Sequence, residues 1–589
     1  MKKILYILAL AIALPFFSSC AGMLDENNYG NPTVDSMMSK EENVVLLVGQ
    51  AYAELKWVHD HWGYWGVNSL TSDECLCPIR MPGEHWKDSY YWTRLNNHNW
   101  NWMGDAFKNI WNTTISGAVL CNKLLATLAD AEESMTPAVY AQYVGELEVL
   151  RSYYYYLLFD CFGRIPYLEE FVDKTEELVK PVEVWVHLVN CLERNAPNMP
   201  QVNDGSRSAN YGRVTQGFAY GLLARLYLNA ESYGCTPDNL KKVNEEGDVV
   251  YQLEDNAKYR ADYLKISSAT DFYTNALRCC DMVVNSGSYS IENDYFANFK
   301  IQNENSRENI FVIVEDGNAS FDFRYNGSMA NKLRMIHLTL HYSHQSTFDL
   351  IEKPWNGFCA RPSFIDRYAS RDVRGPGDEG LGTKNTKQWG WFVGPIYDAK
   401  GENLQKDENG EDAIVRKEVE ALDGAFWGDG ARLYKYEVDK VKGTAWGEND
   451  FVLMRYADIL WMKAEAKARG GAGDDGTNSA DFKTMLKRAF AYESNPEEAF
   501  KAAYPGIASL DLDAICDERG REFAWECVRR RDLIRFNKFH DPNYVEYVTA
   551  TDDYRKWFPI PYSILEKSKI DEATGKRIWT QNEGYQDLP

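Results

Sequence analysis

A single run, Tyr140 to Phe162, limits the architectures open to this chain more than any other. Val144, Leu147, Leu150, Tyr154, Leu157 and Leu158 recur at helical spacing, and Gly163 and Pro166 stop the run. Within it, Tyr153 to Tyr156 puts a ring on every face. A helix that is apolar or aromatic all round must be packed on several sides, as in a layered array of helices. Further helices are predicted from about Glu41 to Trp57, Trp102 to Leu128, Arg213 to Asn229, Asp271 to Asn285, Ser479 to Tyr492 and Asp511 to Phe536. Another spans Phe451 to Arg469, with Asp450 as N-cap and Gly470-Gly471 as its end. Ala219, Gly221 and Ala224 are small enough to let a neighbouring helix come close. These pairs suggest a mainly α, helical-repeat body of the tetratricopeptide kind, although no strict repeat period is present.

The helices are interrupted by aromatic loops. The stretch from Trp57 to Trp111 holds tryptophans 57, 62, 65, 86, 92, 100, 102 and 111 out of 18 in the chain, yet Gly63, Gly66, Pro78, Pro82 and Gly83 break any period. Flat rings on loops stack against the apolar face of a sugar while Asn, Asp and Arg bind its hydroxyls. The competing reading is that the rings pin an irregular loop onto the helical body. From Tyr289 to Trp446 the chain is again irregular, with short strand-like pieces such as Ile310 to Val314. This region carries a second aromatic group: Trp355, Phe358, Trp389, Trp391, Tyr397, Phe426 and Trp427.

At 589 residues the chain exceeds one ordinary core, so two domains or one composite fold is expected. A net charge of -23 argues against a nucleic-acid partner. Lys2 and Lys3 followed by apolar Ile4 to Phe17 form a signal peptide too short to span a membrane. Phe17-Ser18-Ser19-Cys20 resembles a bacterial lipobox, which would make Cys20 the lipidated mature N-terminus. Asp25 to Ser39, polar and broken by Gly30 and Pro32, would act as a tether.

Metal and redox chemistry find little support. The cysteines after Cys20 are odd in number and mostly lie in apolar helical patterns, and Cys75-Leu76-Cys77 alone cannot supply a zinc site. Asp407 to Asp412 offers oxygens but lacks EF-hand spacing and reads as a solvated acidic turn. No metal or cofactor is predicted. Glu518, Glu522 and Glu526, interleaved with Arg519, Arg521, Arg529, Arg530, Arg531 and Arg535, predict a structural ion-pair network, with Glu518 to Arg521 and Glu526 to Arg530 at helical offsets.

Several pieces in order resemble the SusD/RagB family of Bacteroidetes surface lipoproteins. They are Cys20 followed by Leu24-Asp25-Glu26, Leu150-Arg151-Ser152-Tyr153-Tyr154-Tyr155 leading to Phe162-Gly163-Arg164-Ile165-Pro166, and Gly212-Arg213-Val214-Thr215 with Ala224-Arg225-Leu226-Tyr227-Leu228. Arg455-Tyr456-Ala457-Asp458, Glu518-Arg519 with Glu522-Phe523, Phe558-Pro559-Ile560-Pro561 and Gln581-Asn582-Glu583-Gly584-Tyr585 complete the set. Two positions depart from the pattern: Cys527 stands where the family often has glycine, and Asp458 where it has glutamate.

The resemblance implies a lipid-anchored protein on the cell surface of the outer membrane. It would bind an oligosaccharide or polysaccharide without catalysis and pass it to a SusC-like TonB-dependent transporter, over which it acts as a lid. It also implies residues 1–19 as signal peptide, 20–40 as lipid-anchored tether, 41–288 as an N-terminal SusD-like helical region and 289–589 as a C-terminal SusD/RagB-like region. Ligand residues vary between members, so the site rests on the residues themselves. Trp86, in the turn Arg80 to Trp86, is the expected stacking platform, with Asp73 and Arg374 as hydroxyl partners and Trp65, Trp355, Trp389 and Trp391 as further rings. Alternatives are peptide capture in the manner of RagB-like members and, less favoured, a glycoside hydrolase built on paired carboxylates such as Asp73-Glu74.

Overall fold

A computed structural model describes residues 38–172, 177–202, 210–241, 266–315, 334–351, 353–376, 390–438 and 448–587. The signal peptide, Cys20, most of the tether and Trp389 lie outside the described residues.

The first layer is the pair Asp105–Asp130 and Pro137–Phe162. Thr136 opens the second helix by accepting the Val139 N–H, Pro137 presets its first turn, and Gly163, at φ 69°, ends it. The two helices touch closely at Gly117, where a Cβ would lie 2.5 Å from the Tyr154 ring. All four tyrosines from Tyr153 to Tyr156 are buried, as a helix enclosed on several sides requires. Pro181–Asn195 packs on this pair, Gln216–Leu228 on Pro181–Asn195, and Ala269–Val284 on Gln216–Leu228. Gln216–Leu228 and Ala269–Val284 both meet Tyr456–Ala468, which leads on to Leu512–Glu522. At Gly221 a Cβ would lie 2.3 Å from Met454 Sδ, the close approach expected of its small residues. The architecture is mainly helical, in stacked pairs, and one buried core includes residues from Met38 to Leu565. Among the described residues no helix is long and apolar enough to cross a membrane.

Three sequence expectations are corrected. Helix does not begin at Phe451: Phe451–Arg455 is a strand, buried throughout and antiparallel to Asn309–Ile313. A short unbroken apolar run fits a buried strand as well as a helix, and pairing decided it. Trp102 lies before its helix, which starts at Asp105. The predicted helix from Asp511 to Phe536 is two, Leu512–Glu522 and Arg529–Arg535, separated by Trp525 at φ 62° and Cys527 at φ 65°. The left-handed region suits glycine, which accounts for the family's preference at the position of Cys527.

The break redirects the charges. Glu518 does pair with Arg521 at 2.7 Å, but Glu526 pairs with Lys435 at 2.6 Å and Arg455 at 2.8 Å, while Arg530 reaches Asp160 at 3.2 Å. Arg455 is the hub, bound also to Glu308 at 2.5 Å and Glu522 at 3.0 Å. Burial alone would raise Glu522, but Arg488, Arg455 and Arg374 hold it well below the usual carboxylate range.

Candidate ligand-binding face

The strand Ile79–Met81 runs parallel to Asp423–Phe426, with Met81 opposite Phe426. Beyond it Arg80 and His85 exchange backbone hydrogen bonds at 3.0 Å, and Glu84, Trp86, Ser89 and Tyr90 all take φ between 51° and 66°. Such backbone needs support from outside the turn.

Arg80 supplies it. Fully buried, it donates to the carbonyls of Phe426 (2.8 Å), Asp429 (3.0 Å) and Gly357 (3.0 Å). Beside it Arg432, also fully buried, donates to the carbonyls of Asp429, Gly430 and Trp427 and to Asn356 Oδ1. Burial, and then repulsion from Arg80, pushes the Arg432 guanidinium down to about 9. Two buried cations thus fasten three loops, 80–90, 355–357 and 423–430, through main-chain oxygens.

What the loops present is aromatic. Trp86 is half-buried, donates its indole N–H to Trp355 O at 3.0 Å and lies on Gly357, where a Cβ would stand 2.4 Å from the ring. Trp86 and Trp355 rings are 6.1 Å apart, Trp86 and Trp92 6.2 Å, and Trp92 and Trp62 4.4 Å. Trp62 stacks on Tyr91 at 5.2 Å. On the other side Trp427 sits between His85 and Tyr342, at 4.7 and 5.1 Å. Trp62 and Trp355 are half-buried, and neither indole N–H has a partner among the described residues. Phe426 is 59% and Tyr90 40% exposed. The face therefore combines supported rings, free N–H donors and polar side chains such as Glu84, Lys87 and Lys353, a set suited to stacking on a ring while binding its oxygens.

Comparison with known proteins sets this face in a family. A family model described as "SusD family" matches residues 321–585, and one described as "Starch-binding associating with outer membrane" matches residues 67–228. The chain belongs to the SusD/RagB family. Its sequence is 23% identical over 546 residues to the starch-binding protein SusD of Bacteroides thetaiotaomicron, covering 88% of this chain and 84% of that protein. Among solved structures, surface glycan-binding protein A from Bacteroides fluxus superposes with TM-score 0.65 at 20% identity, covering 93% of this chain and all of that one. The same-named protein from B. thetaiotaomicron, in complex with laminarihexaose, gives 0.61 at 20% identity over 92% and 99%. These likenesses show the fold, mainly α and built of helical pairs.

The structure separates the expected site residues. Trp86 and Trp355 come together on the face just described. Four others are core. Asp73 is fully buried, bound by Arg529 at 2.7 Å and by Arg367. Burial would raise its carboxyl, but the two guanidiniums hold it down at about 2. Arg374, 2% exposed, is spent on Asp372, Glu518 and Glu522 at 2.7–2.9 Å. Trp65 and Trp391 have no exposed surface, and Trp65 donates to Trp525 O. Charges fully paired inside a core and rings without surface have nothing to offer a ligand. Trp62, Tyr342 and Phe426 were not singled out as ligand platforms. Their exposure follows from long-range packing, although all three stand in or beside the two aromatic groups of the sequence. The acidic turn is closed on itself, with Asp407 Oδ1 accepting the N–H groups of Asn409 and Glu411. Among the described residues no cluster of three His, Cys, Asp or Glu could hold a metal.

Proposed function

We propose that this protein binds an oligosaccharide or polysaccharide at the cell surface, leaves it chemically unchanged, and hands it to a SusC-like TonB-dependent transporter. Cys20 carries the lipid that anchors it to the outer membrane. The observation that carries the binding reading is the pair of half-buried tryptophans, Trp86 and Trp355, seated on loops that buried Arg80 and Arg432 hold in place. Starch binding in one relative, and a laminarihexaose complex of a protein sharing the fold, support the same ligand class.

A glycan array probed with the protein lacking its first twenty residues identifies the ligand. Calorimetry then tests the face. Trp355→Ala and Trp86→Ala each remove ring area and weaken glycan binding by about 1 kcal/mol or more. Unchanged affinity in both variants would overturn the assignment, and release of sugar from the bound glycan would overturn binding without catalysis. Co-purification of a TonB-dependent barrel with the lipidated protein tests the transport step.

A further inference from the structure

Away from the aromatic face, the helices Pro137–Phe162, Gln216–Leu228 and Arg529–Arg535 meet at a cavity of about 20 Å³. A single water needs roughly 10–15 Å³, so there is room for one small occupant and none for a sugar ring. Tyr153 and Tyr156 line it from the first helix, Arg225 from the second, and Arg531 and Arg535 from the third, with Arg519 of Leu512–Glu522 beside them.

What this lining offers is donors. The Tyr153 and Tyr156 hydroxyls have no hydrogen-bond partner among the described residues, although the two residues are only 2% and 5% exposed. Arg225 commits Nε and Nη2 to Asp458 and to Leu453 O, and Arg531 commits the same two nitrogens to Asp160, so the Nη1 of each is left over. The rings of Tyr233 and Trp557 cover the Arg531 guanidinium at 4.4 and 5.3 Å. The carboxylates that reach the cavity are already spent, Glu526 on Lys435 and Arg455, and Asp532 on Arg519 and Arg535.

The charge does not close either. Arg225, Arg469, Arg519, Arg530, Arg531 and Arg535 share Asp160, Asp458, Glu465 and Asp532, six guanidiniums to four carboxylates. Arg469 is half-buried, and without it five still face four. The adjoining network does close: Arg374, Lys435, Arg455, Arg488 and Arg521 meet Glu308, Asp372, Glu518, Glu522 and Glu526. Buried charge without a counter-charge is costly. A water in the cavity would complete the hydrogen bonds and leave the excess charge, whereas a small anion answers both.

We propose that the cavity binds one chloride ion, held by the Tyr153 and Tyr156 hydroxyls and by Nη1 of Arg225 and Arg531. The ion joins helices from both halves of the chain at one point, and the inference stands apart from the glycan-binding reading.

The test follows the unfolding midpoint as sodium chloride replaces sodium gluconate at constant ionic strength. Unfolding releases the ion, so the wild-type midpoint should climb with chloride, by about 2 °C at a hundredfold excess over the dissociation constant. Tyr153→Phe with Tyr156→Phe removes two donors and keeps both rings; it should need at least roughly tenfold more chloride for the same rise. Crystals of the wild type grown in bromide and measured at the bromine absorption edge, and crystals grown in chloride and measured at long wavelength, locate the ion without any variant. A halide peak in the cavity, apart from Cys527 Sγ, is expected in at least one of them. No such peak in either crystal, or a wild-type midpoint indifferent to the exchange of gluconate for chloride, would overturn the site and leave a water in its place. Equal chloride dependence in wild type and the double variant would overturn the assignment of the hydroxyls as its ligands.

Discussion

Glu74 should make the protein less stable as pH rises through neutrality, and replacing it with glutamine should remove the loss. The side chain is 1% exposed, and one of its oxygens accepts the Trp525 N–H at 2.9 Å. Burial, with the charge of Asp73 next to it, pushes the carboxyl up from 4.5 to about 8 against that hydrogen bond and the pull of Arg529. Folded chains therefore keep a proton that unfolded chains release near pH 4.5. The stability from this site is complete below pH 4.5 and is lost as pH rises through 8. Each pH unit in that window removes about 1.4 kcal/mol, which amounts to about 3 kcal/mol at pH 7. Glu74→Gln is neutral throughout, and its carbonyl keeps the Trp525 contact. With about 2.1 cal/mol/K of unfolding entropy per residue over 589 residues, 3 kcal/mol is a rise of about 2–3 °C in midpoint. Scanning calorimetry from pH 5 to pH 8 should show the two midpoints close together at pH 5 and the variant ahead at pH 7 and above. A constant gap across that range would refute the buried, protonated carboxyl.

Arg455→Met leaves Glu308, Glu522 and Glu526 without their shared cation, and chemical denaturation should show a loss of about 3–5 kcal/mol. Gly357→Ala puts a methyl group 2.4 Å from the Trp86 ring; calorimetry should show weakened glycan binding, with the ring driven off its seat. His540 is pushed down to about 4 by burial, with Arg530 and Arg555 adding to the shift against Asp552 and Asp553. Its folded form stays neutral while the unfolded chain takes a proton near pH 6.5, so its contribution to stability is lost as pH falls from 6.5 toward 4. An NMR titration of its ring protons should find no protonation step above pH 5.

The scaffold was readable because its signals are local. Tyr140 to Phe162 has its stripe, its stop at Gly163 and, in the structure, a Thr136 cap, all within one stretch of chain. Asp73 and Arg374 were misread for the opposite reason. Their partners lie 456 and 144 residues away, at Arg529 and Glu518, and a charged residue near aromatics looks the same in sequence whether it meets solvent or a buried guanidinium. The Glu and Arg spacing after Asp511 continues through Trp525 and Cys527 as if the helix did too, and only the left-handed residues reveal the break. The turn that carries Trp86 was legible in Pro82 and Gly83. Trp102 was assigned to a helix that starts three residues later.

Arg80 and Arg432 grip carbonyl oxygens, which every amino acid possesses. The loop they fasten is thus specified by its main chain, and the side chains it displays are free to change without loosening the clamp. A substitution at exposed Phe426 changes the surface on display at little cost to folding. Such a division of labour gives one helical body room to diversify toward many ligands.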